Sequence, residues 1–206
     1  MWPLDGSGEF TVRAYYRKLI KESLVDEDSC IIKEALHVVW NSWMPSKVKI
    51  FAWRLLKDRL ATRVQLVKRN ILEDNNTSHC AFGCLIQEDT NHLFLNCIIA
   101  KGVWLKICAW LGITQSGEHQ CCNHFLQMVE ILKRKCSTRR VGVVWAATCW
   151  SIWKHRNDKI FNNGVSDIDE IVHKVKMFSW WWLAIGNKQK VSCNFYEWNH
   201  SPLQYM

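Results

Sequence analysis

Apolar residues recur at three- and four-residue intervals along most of the chain. The clearest run follows Pro45 and has the i, i+3, i+4, i+7, i+8 spacing of one helical face: Val48, Phe51, Ala52, Leu55 and Leu56. The same period predicts further helices over 10–20, 31–43, 63–70, 98–111, 125–135, 141–161 and 168–182. No segment has the alternation of a strand, and there is no internal repeat. The predicted fold class is therefore all-α, an irregular helical domain followed by a long-helix C-terminal segment.

Helix-breaking and capping residues set the predicted helix ends. Pro45 cannot continue the helix before it, and Ser46, Thr62 and Ser166 are placed to cap the helices that follow them. The run Asn162-Asn-Gly164 is typical of a helix C-terminus.

A loop at 114–117 is the candidate domain boundary, because turn-forming residues interrupt the helical period there. The prediction is a first domain over 1–115 and a helical segment over 116–206. No structure is predicted for 186–206, where the composition is mixed.

Three cysteines and one histidine stand close together between the predicted helices 63–70 and 98–111: Cys80, Cys84, His92 and Cys97. Thiolate and imidazole are the ligands that zinc prefers, and four of them close a tetrahedral structural site. His92 and Cys97 would point about 140° apart on one continuous helix, so they can share an ion only if a helix ends or begins between them. The alternative is that all four are unconnected buried residues.

A second group, His119, Cys121, Cys122 and His124, is a weaker metal candidate, because adjacent cysteine side chains diverge. We interpret it as an exposed loop that enters a helix. His79 is a reserve ligand for the first site.

The formal net charge is +8, which favours an acidic partner such as RNA or DNA. On the predicted helix over 46–59, the basic residues lie opposite the apolar face, and more follow in 63–69. The candidate phosphate contacts are Lys47, Arg54, Lys57, Arg63, Lys68 and Arg69, with Arg59 beside them. The alternative is an ordinary solvated surface.

Other function classes find little support. No P-loop, GxSxG or HExxH motif is present, so we expect no enzyme; a metalloenzyme would need an open coordination position. No apolar run approaches membrane-spanning length, and the start of the chain does not resemble a signal peptide. Ten cysteines then indicate a reducing, intracellular compartment, nucleus or cytoplasm, and not secretion.

Thirteen tryptophans are unusually many for 206 residues. Three of them are consecutive, Trp180 to Trp182, and three successive rings cannot all face one core. Exposed rings would favour a protein–protein interface, including self-association.

The order of motifs carries a family resemblance. Gly8-Glu-Phe-Thr-Val-Arg-Ala-Tyr-Tyr comes first, then Trp40-Asn-Ser-Trp-Met-Pro-Ser-Lys-Val-Lys-Ile-Phe-Ala-Trp, then Cys80, Glu88 and His92-Leu-Phe-Leu-Asn-Cys97. Residues 8–105 resemble the zinc-binding domain that follows the reverse transcriptase in plant LINE-type (non-LTR) retrotransposon polyproteins. The segment Trp150-Ser-Ile-Trp-Lys-His-Arg is similar to the helical part that follows this domain.

The resemblance implies a module that helps to hold nucleic acid near a reverse transcriptase, without catalysis of its own. One departure affects the site: Gly83 stands where the family's second cysteine belongs, and Cys84 comes one place later. Either Cys84 reaches the ion through a different turn, or the site has decayed. Because the polymerase, endonuclease and ribonuclease H parts are missing, a retroelement fragment without present function is the further alternative.

Overall fold

The computed structural model describes residues 30–73, 78–134, 136–186 and 193–205, and within them it is helical without a β-sheet. The helix expected over 10–20 lies outside the described residues. In chain order the helices are α1 (Cys30–Asn41), α2 (Ser46–Leu56), α3 (Arg63–Lys68), a π-helical turn (His92–Asn96), α4 (Ile98–Trp110), α5 (Cys121–Leu132), α6 (Thr138–Asn162), α7 (Ile168–Gly186), α8 (Phe195–His200) and α9 (Pro202–Tyr205). The predicted all-α class is confirmed.

Two of the three predicted caps were wrong. Thr62 does cap α3, with its hydroxyl accepting from Gln65 N. At α2 the N-cap position is occupied by Pro45, and Ser46 is already the first helical residue. Proline fits there because its fixed φ already suits a helix start. At α7 the carboxylate of Asp167 accepts from Asp169 N at 2.8 Å, whereas the Ser166 hydroxyl is buried without a partner.

Helix α6 lies at the centre of the molecule. Its first half is apolar nearly all round and fully buried from Val143 to Ala147, which is typical of a helix surrounded by others. Helices α1, α2, α4, α5 and α7 and the π-turn pack against it. The pattern of 141–161 predicted one buried face; burial on all sides follows because neighbours cover the remaining faces.

Aromatic rings fix the π-turn against α2 and α6. The Phe51 ring centroid lies 6.1 Å from that of Phe94 and 5.1 Å from that of Trp150. Phe94 in turn lies 6.2 Å from Trp153. The turn that carries His92 is therefore anchored in the core from two directions.

The described part of the C-terminal tail is helical, although no structure was predicted there. Asn194 and Glu197 form a capping box at the start of α8. Trp198 is fully buried and donates to Lys176 O in α7 at 3.1 Å.

One hydrophobic core runs across residue 115, with buried residues of α2, α4, α5, α6 and α7 in a single cluster. The boundary at 115 stays a prediction. None of the described helices is both long enough and apolar enough to cross a membrane.

Candidate metal centre

A short hairpin over residues 78–88 presents the first two cysteines. Glu88 N donates to Ser78 O at 2.7 Å, and Cys80 N donates to Ile86 O at 2.8 Å. His79 and Gln87 form the isolated antiparallel bridge between them. The pairing closes a loop whose tip carries both Cys80 and Cys84.

Gly83 makes the displaced cysteine usable. Gly83 N donates to Cys80 O at 3.0 Å, and its φ of +90° lies where residues with a Cβ are strained. This rotation turns Cys84 back toward Cys80. The sequence left two alternatives open, a decayed site or a different turn that brings Cys84 to the ion. The geometry agrees with the different turn.

The π-turn brings the other two candidate ligands together. Cys97 N donates to His92 O at 2.7 Å, an i to i+5 bond that encloses one more residue than an α-turn. Cys97 then takes extended torsion angles, φ −62° and ψ 144°, immediately before α4. The condition set by the sequence, a helix break between His92 and Cys97, is met.

The four side chains converge on one point, with all their ligand atoms within 4.8 Å of one another. Cys84 Sγ lies 3.3 Å from His92 Nε2 and 3.4 Å from Cys97 Sγ, and Cys80 Sγ lies 3.8 Å from Cys97 Sγ. Sulfur atoms at two corners of a zinc tetrahedron are expected about 3.8 Å apart, given zinc–sulfur bonds of about 2.3 Å. Cys80, His92 and Cys97 are buried and Cys84 is half-buried, so the donor set fits a closed structural site.

The thiols differ in acidity because they hydrogen-bond one another. The hydrogen bond from Cys80 lowers the pKa of Cys97 to about 5, helped by Ile99 N–H and opposed by burial. The hydrogen bond to Cys97, and then burial, raise the pKa of Cys80, while burial raises that of Cys84. A metal must therefore displace protons from Cys80 and Cys84 to be held by thiolates.

A buried ion pair that the sequence reasoning missed supports the hairpin. The fully buried Glu88 carboxylate accepts from Arg156 Nε at 3.1 Å and Nη2 at 2.5 Å. It also accepts from the backbone N–H groups of Arg63 and Ala81, at 3.1 and 3.0 Å. Glu88 thus ties the hairpin to α3 and α6. In the sequence, the one signal for this pairing is that Glu88 and Arg156 both lie in motifs that carry the family resemblance.

A family comparison agrees with this geometry. Residues 10–104 match the family model described as zinc-binding in reverse transcriptase. The matched range contains all four candidate ligands and supports a reverse transcriptase zinc-binding domain in this part of the chain. Searches of curated proteins and of solved structures found no significant match.

The second group, His119, Cys121, Cys122 and His124, does not converge on one point in the part of the chain that the structure describes. In the described part of the chain, no other three His, Cys, Asp or Glu side chains converge as a metal site would require. Cys121 and His124 are buried in α5, which begins earlier than predicted, so the expected exposed loop was wrong. His124 Nδ1 accepts from Trp145 Nε1 at 3.2 Å, and His119 bonds Asn96. His79 is not part of the converging group.

The six candidate phosphate contacts differ in their position, exposure and partners. Lys47 lies in the first turn of α2 and Arg54 in the last, about 10 Å away along the axis. Arg63 is half-buried, and its guanidinium donates to His79 O at 2.8 Å, which supports the hairpin. Lys57 is half-buried, whereas four of the six are exposed: Lys47, Arg54, Lys68 and Arg69.

Proposed function

We propose that the chain is a non-catalytic, zinc-stabilised helical module that assists nucleic-acid binding in the context of a LINE-type, non-LTR retroelement of plants. The observation that carries the proposal is the convergence of Cys80, Cys84, His92 and Cys97 within the range that matches the zinc-binding family. A reverse transcriptase is the partner that the family context suggests.

Zinc would be held by those three thiolates and the Nε2 atom of His92. Four protein ligands leave no open coordination position, so the ion would cross-link the structure and not activate water. The ligands come from three pieces of the chain: the hairpin tip, the π-turn and the residue before α4. Bound metal would cross-link these three pieces and add to the packing that already anchors the π-turn.

Metal content tests this part of the proposal. Cys84→Ser and Cys97→Ser should each lower the zinc that co-purifies with the chain, measured by atomic emission. Cys30→Ser is the matched control, because Cys30 is exposed in α1 and outside the converging group. Unchanged zinc in both ligand variants would refute the zinc site.

The six candidate basic residues between 47 and 69, four of them exposed, supply the expected contacts with RNA or DNA. We assign Lys47, Arg54, Lys57, Lys68 and Arg69 to phosphates, with Arg63 divided between phosphate and the hairpin. Each true contact should add about 0.9 to the log–log salt slope of duplex binding. If the chain binds RNA and DNA no better than a neutral control protein at low salt, the nucleic-acid role fails.

Self-association is the second candidate function, and an apolar stripe on α7 favours it. Met177, Trp181 and Ile185 recur every four residues and are 38%, 52% and 65% exposed. Trp182 is buried beside them, so the three successive rings do divide between core and surface. Association measured by analytical ultracentrifugation should survive high salt and weaken in Trp181→Gln; a monomer at all salt concentrations would contradict it.

We also propose a nuclear or cytoplasmic location. All ten cysteines are free thiols, as a reducing compartment would keep them. Fluorescent tagging of the chain in plant cells checks this.

A further inference from the structure

Two arginines from different helices meet at one backbone oxygen. Arg54 stands in the last turn of α2, and Arg69 follows the last residue of α3. The Nη2 atoms of both donate to Arg59 O, each at 3.3 Å. The two Nη2 atoms are therefore at most twice that distance apart. Helical periodicity could not predict this pairing, because it concerns one helix at a time.

The shared carbonyl explains how two like charges are held so close. Arg59 lies two residues beyond the C-cap of α2, and the partial negative charge of its carbonyl oxygen attracts both cations. A guanidinium has five N–H donors, however, and Arg54 and Arg69 each donate only one of them to Arg59 O. Both side chains are exposed, and among the described residues no carboxylate forms an ion pair with either. Most of the donors therefore face solvent.

We propose that Arg54 and Arg69 are a phosphate-binding pair that takes one phosphodiester group of a nucleic-acid backbone. Guanidinium forks match phosphate oxygens in geometry, and two forks at this separation can bind different oxygens of one group. The pair rests on the proposed nucleic-acid role and narrows it, because it places the strongest contact at the junction of α2 and α3. Lys47, at the far end of α2, then contributes a separate and weaker contact.

The site is open to solvent, because both arginine side chains are exposed, and this suits a phosphate on a polymer that also contacts neighbouring cations. Exposed guanidinium groups compete with water for free phosphate, so the pair alone is expected to hold that ion weakly. Inorganic phosphate is therefore expected to compete no better than chloride at equal ionic strength. Specific competition by inorganic phosphate would overturn the assignment to a phosphodiester.

The test measures the dissociation constant of the full chain for a fluorescein-labelled DNA duplex over a range of salt concentrations. Arg54→Gln/Arg69→Gln should bind about tenfold more weakly at low salt, since charge-assisted hydrogen bonds are lost. Its log–log salt slope should fall by about 0.9, the value for one phosphate. Arg134→Gln/Arg139→Gln is the control, because it removes two exposed arginines in the α5–α6 region and the same net charge.

A variant that keeps both charges distinguishes loss of the guanidinium groups from misfolding. Arg54→Lys/Arg69→Lys keeps both cations for Arg59 O but loses the forks, so affinity should fall while the salt slope stays. If the native chain binds and the glutamine variant behaves like the control, the pair is wrong and the nucleic-acid role stands. If the native chain does not bind at all, the proposed function itself fails.

Discussion

At the scale of single residues, the Glu88 carboxylate and the Arg156 guanidinium depend on each other. Both are buried, and every Glu88 partner is a donor. Arg156→Met would leave Glu88 with two backbone N–H groups and no cation, so we expect the free energy of unfolding to fall by about 3–5 kcal/mol. Urea denaturation of the zinc-loaded chain measures it.

The matched control is an ion pair on the surface. Lys106 and Asp169 also pair, but their side chains are 46% and 76% exposed. Lys106→Met should cost at most about 1 kcal/mol. If Arg156→Met and Lys106→Met lowered the free energy of unfolding equally, burial would not make the Glu88–Arg156 pair more important for stability than an exposed pair.

His124 gives the fold a dependence on pH. Burial lowers its pKa from 6.5 to about 4. Between these values the unfolded chain binds the proton and the folded chain does not, so stability is full above pH 6.5 and falls as pH drops. The loss should reach roughly 3 kcal/mol near pH 4.

Replacement of His124 separates its contribution to the pH-dependent loss of stability from the contributions of other titrating groups. In His124→Asn the amide oxygen can still accept from Trp145 Nε1. The difference in unfolding free energy between pH 7 and pH 4.5, measured with urea, should be smaller in the variant than in the native chain. Parallel losses would show that His124 is not the responsible group.

At the scale of elements, the hairpin turn depends on Gly83. A Cβ there would meet no atom within 4 Å, so Gly83→Ala costs only the strain of its positive φ. That strain is about 1–2 kcal/mol, which should weaken zinc about five- to thirty-fold if the turn forms on binding. Competition with a chromophoric chelator measures the affinity.

Gly117→Ala is the control for this prediction. A Cβ at Gly117 also meets nothing within 4 Å, but its φ is not in the positive range. Zinc affinity should not change there. A loss at Gly117 equal to that at Gly83 would remove backbone strain as the cause.

Local periodicity predicted the helices well, because the apolar face of an amphipathic helix is formed by residues only three or four positions apart in the sequence. The helices from α1 to α7 lie where the apolar spacing placed them, within a few residues at most ends. The π-turn could not be predicted, because the choice of an i to i+5 bond depends on Phe94 packing against α2 and α6. Angular reasoning on His92 and Cys97 gave the condition for a shared site but not the turn that meets it.

Pairings between distant residues set the limit of prediction for the site. The four ligands were found because they stand close in sequence and have a recognisable chemistry. Arg156 is 68 positions from Glu88, and nothing in the spacing joins them. The same holds for Arg54 and Arg69, whose meeting point is a backbone oxygen.

At the scale of the whole molecule, the region that matches the zinc-binding family and the helices after it complete one another. Helix α6 covers the ring of Phe51 with Trp150 and that of Phe94 with Trp153. It also supplies the cation for Glu88. The family match ends at residue 104, whereas the packing that supports the matched region continues well beyond it.

A chain of residues 1–115 should therefore not fold cooperatively, even with zinc. It would expose the apolar faces of α2 and α4 that α6 and α7 cover, and it would leave Glu88 without Arg156. We expect circular dichroism to show a broad, non-cooperative thermal transition for 1–115 with excess zinc, and a sharp one for the full chain. A sharp transition in 1–115 with native zinc affinity would instead make residue 115 a true folding boundary, with the helices beyond it an independent addition.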